Sequence, residues 1–76
     1  MNIKVKYFAS LAQQLGRREQ LLELDPGATV LDAWRRANDS AIPENVLQAV
    51  NYEYVDSAQL LEDGDEVAFF PPVTGG

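Results

Sequence analysis

Seventy-six residues, 46% of them hydrophobic, suffice for one small core and exclude a second domain. Twelve acidic against six basic side chains leave a net charge of −6, which argues against nucleic acid and favours a basic protein partner. With no Cys and no His, the chain lacks thiolate nucleophiles, imidazole bases and the usual zinc, haem or iron–sulfur ligands, so no catalytic side chains of its own are expected.

The first segment, Asn2 to Phe8, alternates Ile3, Val5 and Tyr7 with Lys4 and Lys6, the two-residue period of a half-buried strand. Ser10 is placed to cap a short helix over Ser10 to Leu15, with Gly16 where a left-handed terminal residue is wanted. Glu19 to Leu24 reads as a second strand forming a wide hairpin with the first, and it ends at the turn Asp25-Pro26-Gly27. Thr29 followed by Asp32 has the form of a capping box, and Val30, Ala33, Trp34 and Ala37 fall on one helical face, predicting a helix from Val30 to about Asn38. That phase assigns Trp34 to the core.

Asn38 to Asn45 reads as a connecting loop, followed by short strands at Val46 to Asn51 and at Tyr54-Val55 whose facing the alternation leaves open. Asp63-Gly64 marks a turn before a last strand, Glu66 to Phe70, closed by Pro71-Pro72. Residues 1–70 form the expected domain and 71–76 an extended tail. Val67 to Phe70, the longest apolar run, is four residues long, whereas a membrane span needs about twenty. A cytoplasmic protein that does not enter a membrane is expected.

Two prolines remove two backbone donors and favour an extended start, so the tail Pro71-Pro72-Val73-Thr74-Gly75-Gly76 should point away from the sheet, with a reach of roughly 20 Å at about 3.3 Å per residue. Gly75 and Gly76 present a carboxylate without a neighbouring Cβ, able to thread a channel too narrow for side chains. Condensation with ATP would turn that carboxylate into an acyl-adenylate, and sulfur could then displace the nucleotide to leave a thiocarboxylate. Composition permits this chemistry without demanding it, since a Gly-Gly ending is more often an inert tail.

The run from Asp63 through Gly76, DGDEVAFFPPVTGG, closely resembles the C-terminus of the small subunits of molybdopterin synthase, the MoaD-like sulfur carriers. The opening Ile3 to Ala9 is similar to that family's first strand, and Val50-Asn51 to the end of its central strand. The resemblance implies an α+β fold of the ubiquitin-like β-grasp type, one mixed sheet packed on one main helix, and a role in molybdenum cofactor biosynthesis. It implies that Gly76 is adenylated by a MoeB-like activating enzyme that consumes ATP, is converted to the thiocarboxylate, and enters the active site of a MoaE-like large subunit in a heterotetramer. The acceptor there would be cyclic pyranopterin monophosphate, which gains its dithiolene from two carrier turnovers. No cofactor bound by the chain itself is implied, and the tail residues Pro71, Pro72, Val73, Thr74 and Gly75 would lead Gly76 into the partner.

Strand parity adds a prediction that stands apart from the resemblance. If Ile3, Val5, Tyr7, Val67 and Phe69 face the core, Phe8 and Phe70 fall on the outer face, where they would make an apolar docking patch beside the tail. A strand end or bulge that turns them inward is the competing outcome. Asp63, Asp65 and Glu66 are weighed between contacts to a basic activating enzyme and plain turn chemistry, while Arg17-Arg18 and Arg35-Arg36 read as solvated pairs. Three other functions compete with the molybdopterin carrier: a ThiS-like carrier of the thiazole pathway, which Phe69 to Val73 argue against, a ubiquitin-like protein modifier, and a passive binding module.

Overall fold

The computed structural model describes residues 1–72. Along them run β1 (Asn2–Tyr7), α1 (Ala9–Leu15), β2 (Glu19–Glu23), α2 (Val30–Asn38), β3 (Leu47–Val50), β4 (Glu53–Val55) and β5 (Glu66–Phe70). The five strands make one mixed sheet in the order β2-β1-β5-β3-β4. β1 and β5 are its parallel central pair, and every other pairing is antiparallel.

Alternation decides which face is covered. Ile3, Val5 and Tyr7 of β1 and Val67 and Phe69 of β5 are buried under α2, whose Val30, Ala33 and Trp34 complete the same core. The centre is aromatic: Trp34 meets Phe69 edge-on at 4.9 Å between ring centroids, and Tyr7 stacks on Phe69 at 6.1 Å. Such geometries suit the ring quadrupoles. The Tyr7 hydroxyl accepts from Asn38 Nδ2 at 3.1 Å, and Asn38 Oδ1 in turn accepts from Arg17 at 3.3 Å. Arg17, expected to be merely solvated, therefore ties the start of the β2 segment to the end of α2.

Local signals explain where elements stop. The Thr29 hydroxyl accepts from the Asp32 amide while the Asp32 carboxylate accepts from the Thr29 amide, a complete capping box that starts α2 where the sequence places it. Gly16 closes α1 at φ 72°, and Gly27 holds φ 91° in a turn closed by the Ala28 amide donating to Asp25. The Ser10 cap does not form. The Phe8 N–H still donates to the Phe69 carbonyl in the sheet at 3.1 Å, and the chain reverses at once through Ala9 at φ 53°. Phe8 therefore takes the N-cap position, without a side-chain bond, and Ser10 lies inside the first turn.

Candidate functional site

Because β1 and β5 run parallel and pair Tyr7 with Phe69, the residues that follow, Phe8 and Phe70, emerge side by side at one end of the sheet. Phe8 keeps an extended backbone, φ −121° and ψ 155°, so the alternation continues through it and its ring goes to the face opposite the core. It is 48% exposed, and Phe70 is half-buried. Pro71 and Pro72 follow directly, and having no N–H they cannot extend the ladder. The root of the tail thus leaves from the end where the two phenylalanines meet.

The outer face between them is concave, a cleft of about 460 Å³. Its floor is Ala49 of β3 and Ala68 of β5, directly opposite each other in the ladder. Phe8 walls one side, and Phe70 with Tyr54 of β4 the other, their rings tilted at 52° with centroids 5.6 Å apart. Lys6, opposite Ala68 in the β1–β5 register, flanks the floor and reaches Glu66, which with Tyr52 closes the end away from Phe8 and Phe70. Leu47, opposite Phe70 in register and 38% exposed, extends the apolar rim. A larger groove of about 600 Å³ lies along α1 and residues 16–19, with Tyr7 and Phe8 at its edge and mostly polar side chains elsewhere.

The polar end carries one ion pair, Lys6 Nζ to Glu66 Oε1 at 3.1 Å. The hydrogen bond and charge of Glu66 raise Lys6 above the ordinary lysine range. The hydrogen bond from Lys6 holds Glu66 below the usual carboxylate range against the opposing effect of desolvation, with a further contribution from the Tyr52 hydroxyl. Both groups stay ionised around neutrality, so the cleft is apolar along its length and charge-balanced at its closed end.

The other acidic residues singled out in the sequence serve the turn before β5. Asp63 Oδ1 accepts from the Asn2 amide at 2.7 Å; Asp65 accepts from the Glu62 amide at 2.7 Å and from Asn51 Nδ2 at 2.9 Å. Trp34 is buried, as its helical phase predicts. Of the tail residues, Val73, Thr74, Gly75 and Gly76 lie outside the described residues. Among the described residues no group of His, Cys, Asp and Glu could hold a metal ion, and no helix is long and apolar enough to cross a membrane.

Strand parity alone already puts Ala68 beside Phe70 on this face, while sequence reasoning missed Ala49, Tyr52, Tyr54 and Leu47 as parts of it. Their signal was the register of the β3–β4 hairpin: once Val50 and Val55 face the core, Ala49 and Tyr54 must share the other side.

Comparison with known proteins follows the same residues. The chain matches the model of the ThiS family over residues 5–76. It is 43% identical to the molybdopterin synthase sulfur carrier subunit of Chlamydomonas reinhardtii, in a match covering 100% of both chains. It is 39% identical to the molybdopterin synthase sulfur carrier subunit of Escherichia coli K12, over 97% of this chain and 99% of the relative. Among solved structures, SAMP1 of Haloferax volcanii, the small archaeal modifier protein 1, aligns with a TM-score of 0.84 at 29% identity over 100% of each chain.

Proposed function

The chain belongs to the ThiS family, with the ubiquitin-like β-grasp fold, and from that premise we propose that it is the sulfur-carrier small subunit of a molybdopterin synthase, acting in molybdenum cofactor biosynthesis. The observation that carries this reading is the end-to-end match to sulfur carrier subunits, in a family match that runs through Gly76. The reactive group is the Gly76 carboxylate. An activating enzyme condenses it with ATP, releasing pyrophosphate and leaving a glycyl adenylate. A sulfur donor then displaces AMP, which leaves a thiocarboxylate whose sulfur is the nucleophile toward the pterin precursor. Each transfer ends by returning the carboxylate, and a dithiolene takes two carriers.

What the described residues contribute is delivery. Phe8, Phe70 and Tyr54 around the alanine floor form the docking face for the large synthase subunit, and Pro71 and Pro72 start the tail toward that subunit's pocket, with Val73, Thr74 and Gly75 lining its path. Chains docked this way supply no acid or base of their own, in keeping with the absence of His and Cys. Cytoplasmic location and a heterotetrameric assembly are parts of the same proposal.

Intact-mass measurement after incubation with the activating enzyme, ATP and a sulfur donor tests it. An oxygen-to-sulfur exchange localised to Gly76, lost on deleting Gly75-Gly76 while the thermal melt is kept, is the expected result. An unmodified terminus, with pterin conversion indifferent to the deletion, overturns it. The likeness to SAMP1 supports a second reading, a protein modifier joined through Gly76 to lysines. Isopeptide-linked Gly76 in place of a thiocarboxylate would favour that reading.

A further inference from the structure

The β3–β4 hairpin turns through two residues, Asn51 at φ 50° and Tyr52 at φ 71°, between the paired Val50 and Glu53. Two positive φ values in a two-residue loop are the type I′ geometry that matches strand twist, and its second position ordinarily holds glycine. Asn51 suits the first position. A bulky aromatic at the second is a backbone outlier that needs a compensating gain.

Core packing does not provide that gain, because Tyr52 is 87% exposed, and the hydroxyl bond to Glu66 engages only the polar tip of the side chain and leaves the ring uncovered. The strain cannot relax either, since Asn51 clamps the turn to β5 with three bonds. Its amide donates to the Glu66 carbonyl at 2.8 Å, its Nδ2 donates to Asp65 Oδ1 at 2.9 Å, and its Oδ1 accepts from the Glu66 amide at 3.0 Å. The turn is over-determined from below while its ring stands at the rim of the outer cleft, beside Lys6 and Glu66.

We propose that Tyr52 is a partner-selecting residue: the clamped type I′ turn presents its ring, at a cost in backbone energy, as an aromatic anchor that closes the cleft over an apolar segment of the large synthase subunit. This inference rests on the docking role given above to the Phe8–Phe70 face. It deepens that reading by extending the contact surface from the tail-proximal end of the cleft to the opposite end. Tyrosine suits the task because a two-torsion ring offers large contact area at small entropic cost, and rigid aromatic anchors at cleft rims recur as binding hot spots. A turn held fixed before binding also spares the complex the cost of ordering it.

The test is a titration of the large subunit against full-length Tyr52→Gly, Tyr52→Phe and Phe70→Ala, each with a thermal melt. Tyr52→Gly is expected to melt at the same or a higher temperature, because glycine relieves the positive φ, yet to bind about tenfold or more weakly. Tyr52→Phe, which keeps the ring, should recover most of the affinity. Wild-type affinity for Tyr52→Gly beside weakened Phe70→Ala overturns the role of Tyr52 and leaves the docking face standing. Wild-type affinity for both overturns the docking face as well. A loss for Tyr52→Gly matched by a lowered melting temperature would mark the residue as structural and likewise overturn the inference.

Discussion

Ala49 and Ala68 face each other across the β3–β5 ladder, on the side of the sheet away from α2, and their two methyl groups are all that separates the aromatic walls of the outer cleft from the backbone. Ala49 is buried, yet it stands apart from the cluster of core residues, as its position on the opposite face requires. Small side chains at the centre of a sheet face are poor strand formers and bury little, so the sheet gains no stability by keeping them. What they do is keep the cleft open.

Filling the floor should therefore separate binding from folding. Ala68→Leu places a branched side chain between Lys6 and Ala49, toward solvent and away from the close-packed core, so its stability should stay within about 0.5 kcal/mol of wild type. Binding to the large subunit should fall by about tenfold or more, because an apolar segment can no longer seat. Calorimetric titration and a urea melt on the same sample check this, and undiminished affinity would show that the cleft is not the seat of the contact.

Phe8 and Phe70 make a related prediction with a different control. Phe8 is 48% exposed and Phe70 leans on Tyr54, outside the Trp34–Phe69 core, so truncating either to alanine removes little that folding buries. Affinity for the large subunit should drop by about 1.4 kcal/mol or more for each, with the melting temperature lowered by only a few degrees. The reverse ordering, a large drop in melting temperature with affinity retained, would place the two rings among the structural residues.

Part of this face is legible in the sequence, and the part that is not has a physical cause. Val30 to Asn38 carried its own start signal and an unambiguous apolar stripe, so the helix and the burial of Trp34 followed from local chemistry alone. Ile3, Val5 and Tyr7 alternate strictly with lysines, which fixed β1 and, by parity, put Phe8 outside. Val46-Leu47-Gln48-Ala49-Val50 has apolar residues on both parities, so period two could not say which side faces α2. That choice comes from long-range pairing with β5 and from a type I′ turn at Asn51-Tyr52 that no glycine announces. The same limit applied at Ser10, a good capping residue in isolation that was displaced because β1 holds on to β5 through Phe8.

Trp34 tests the core against the site. Its ring is 2% exposed and packs on Phe69 and Tyr7, so Trp34→Ala should cost about 3–5 kcal/mol, a large share of what a domain this size possesses. Far-UV dichroism with urea should show the variant largely unfolded or melting at much lower denaturant. Trp34→Phe, which leaves a smaller void, should fold and retain sulfur transfer, since the ring faces α2's side of the sheet and not the cleft. A folded Trp34→Phe that no longer accepts sulfur would move Trp34 from the core into the functional surface.

The Lys6–Glu66 pair should give the closed end of the cleft a defined pH window. Glu66 is held below the usual carboxylate range by Lys6, so the stability it contributes is present above the ordinary glutamate value, about 4.3, and is lost as pH falls through its depressed folded value. Lys6 is held above the ordinary lysine value, about 10.4, so its contribution is complete below that pH and disappears as pH rises through the higher folded value. Between these limits the pair is ionised on both sides and the contribution is flat, which covers neutrality with room to spare. Solvent reaches both side chains, so the effect on global stability should be small and should shrink with added salt. The measurable quantity is the titration itself: carboxyl-carbon NMR should place the Glu66 midpoint below the usual glutamate range, and Lys6→Met should return it upward. A Glu66 midpoint unmoved by that substitution would mean that the 3.1 Å contact does not persist in solution, and that the polar end of the cleft carries an unpaired carboxylate into any complex.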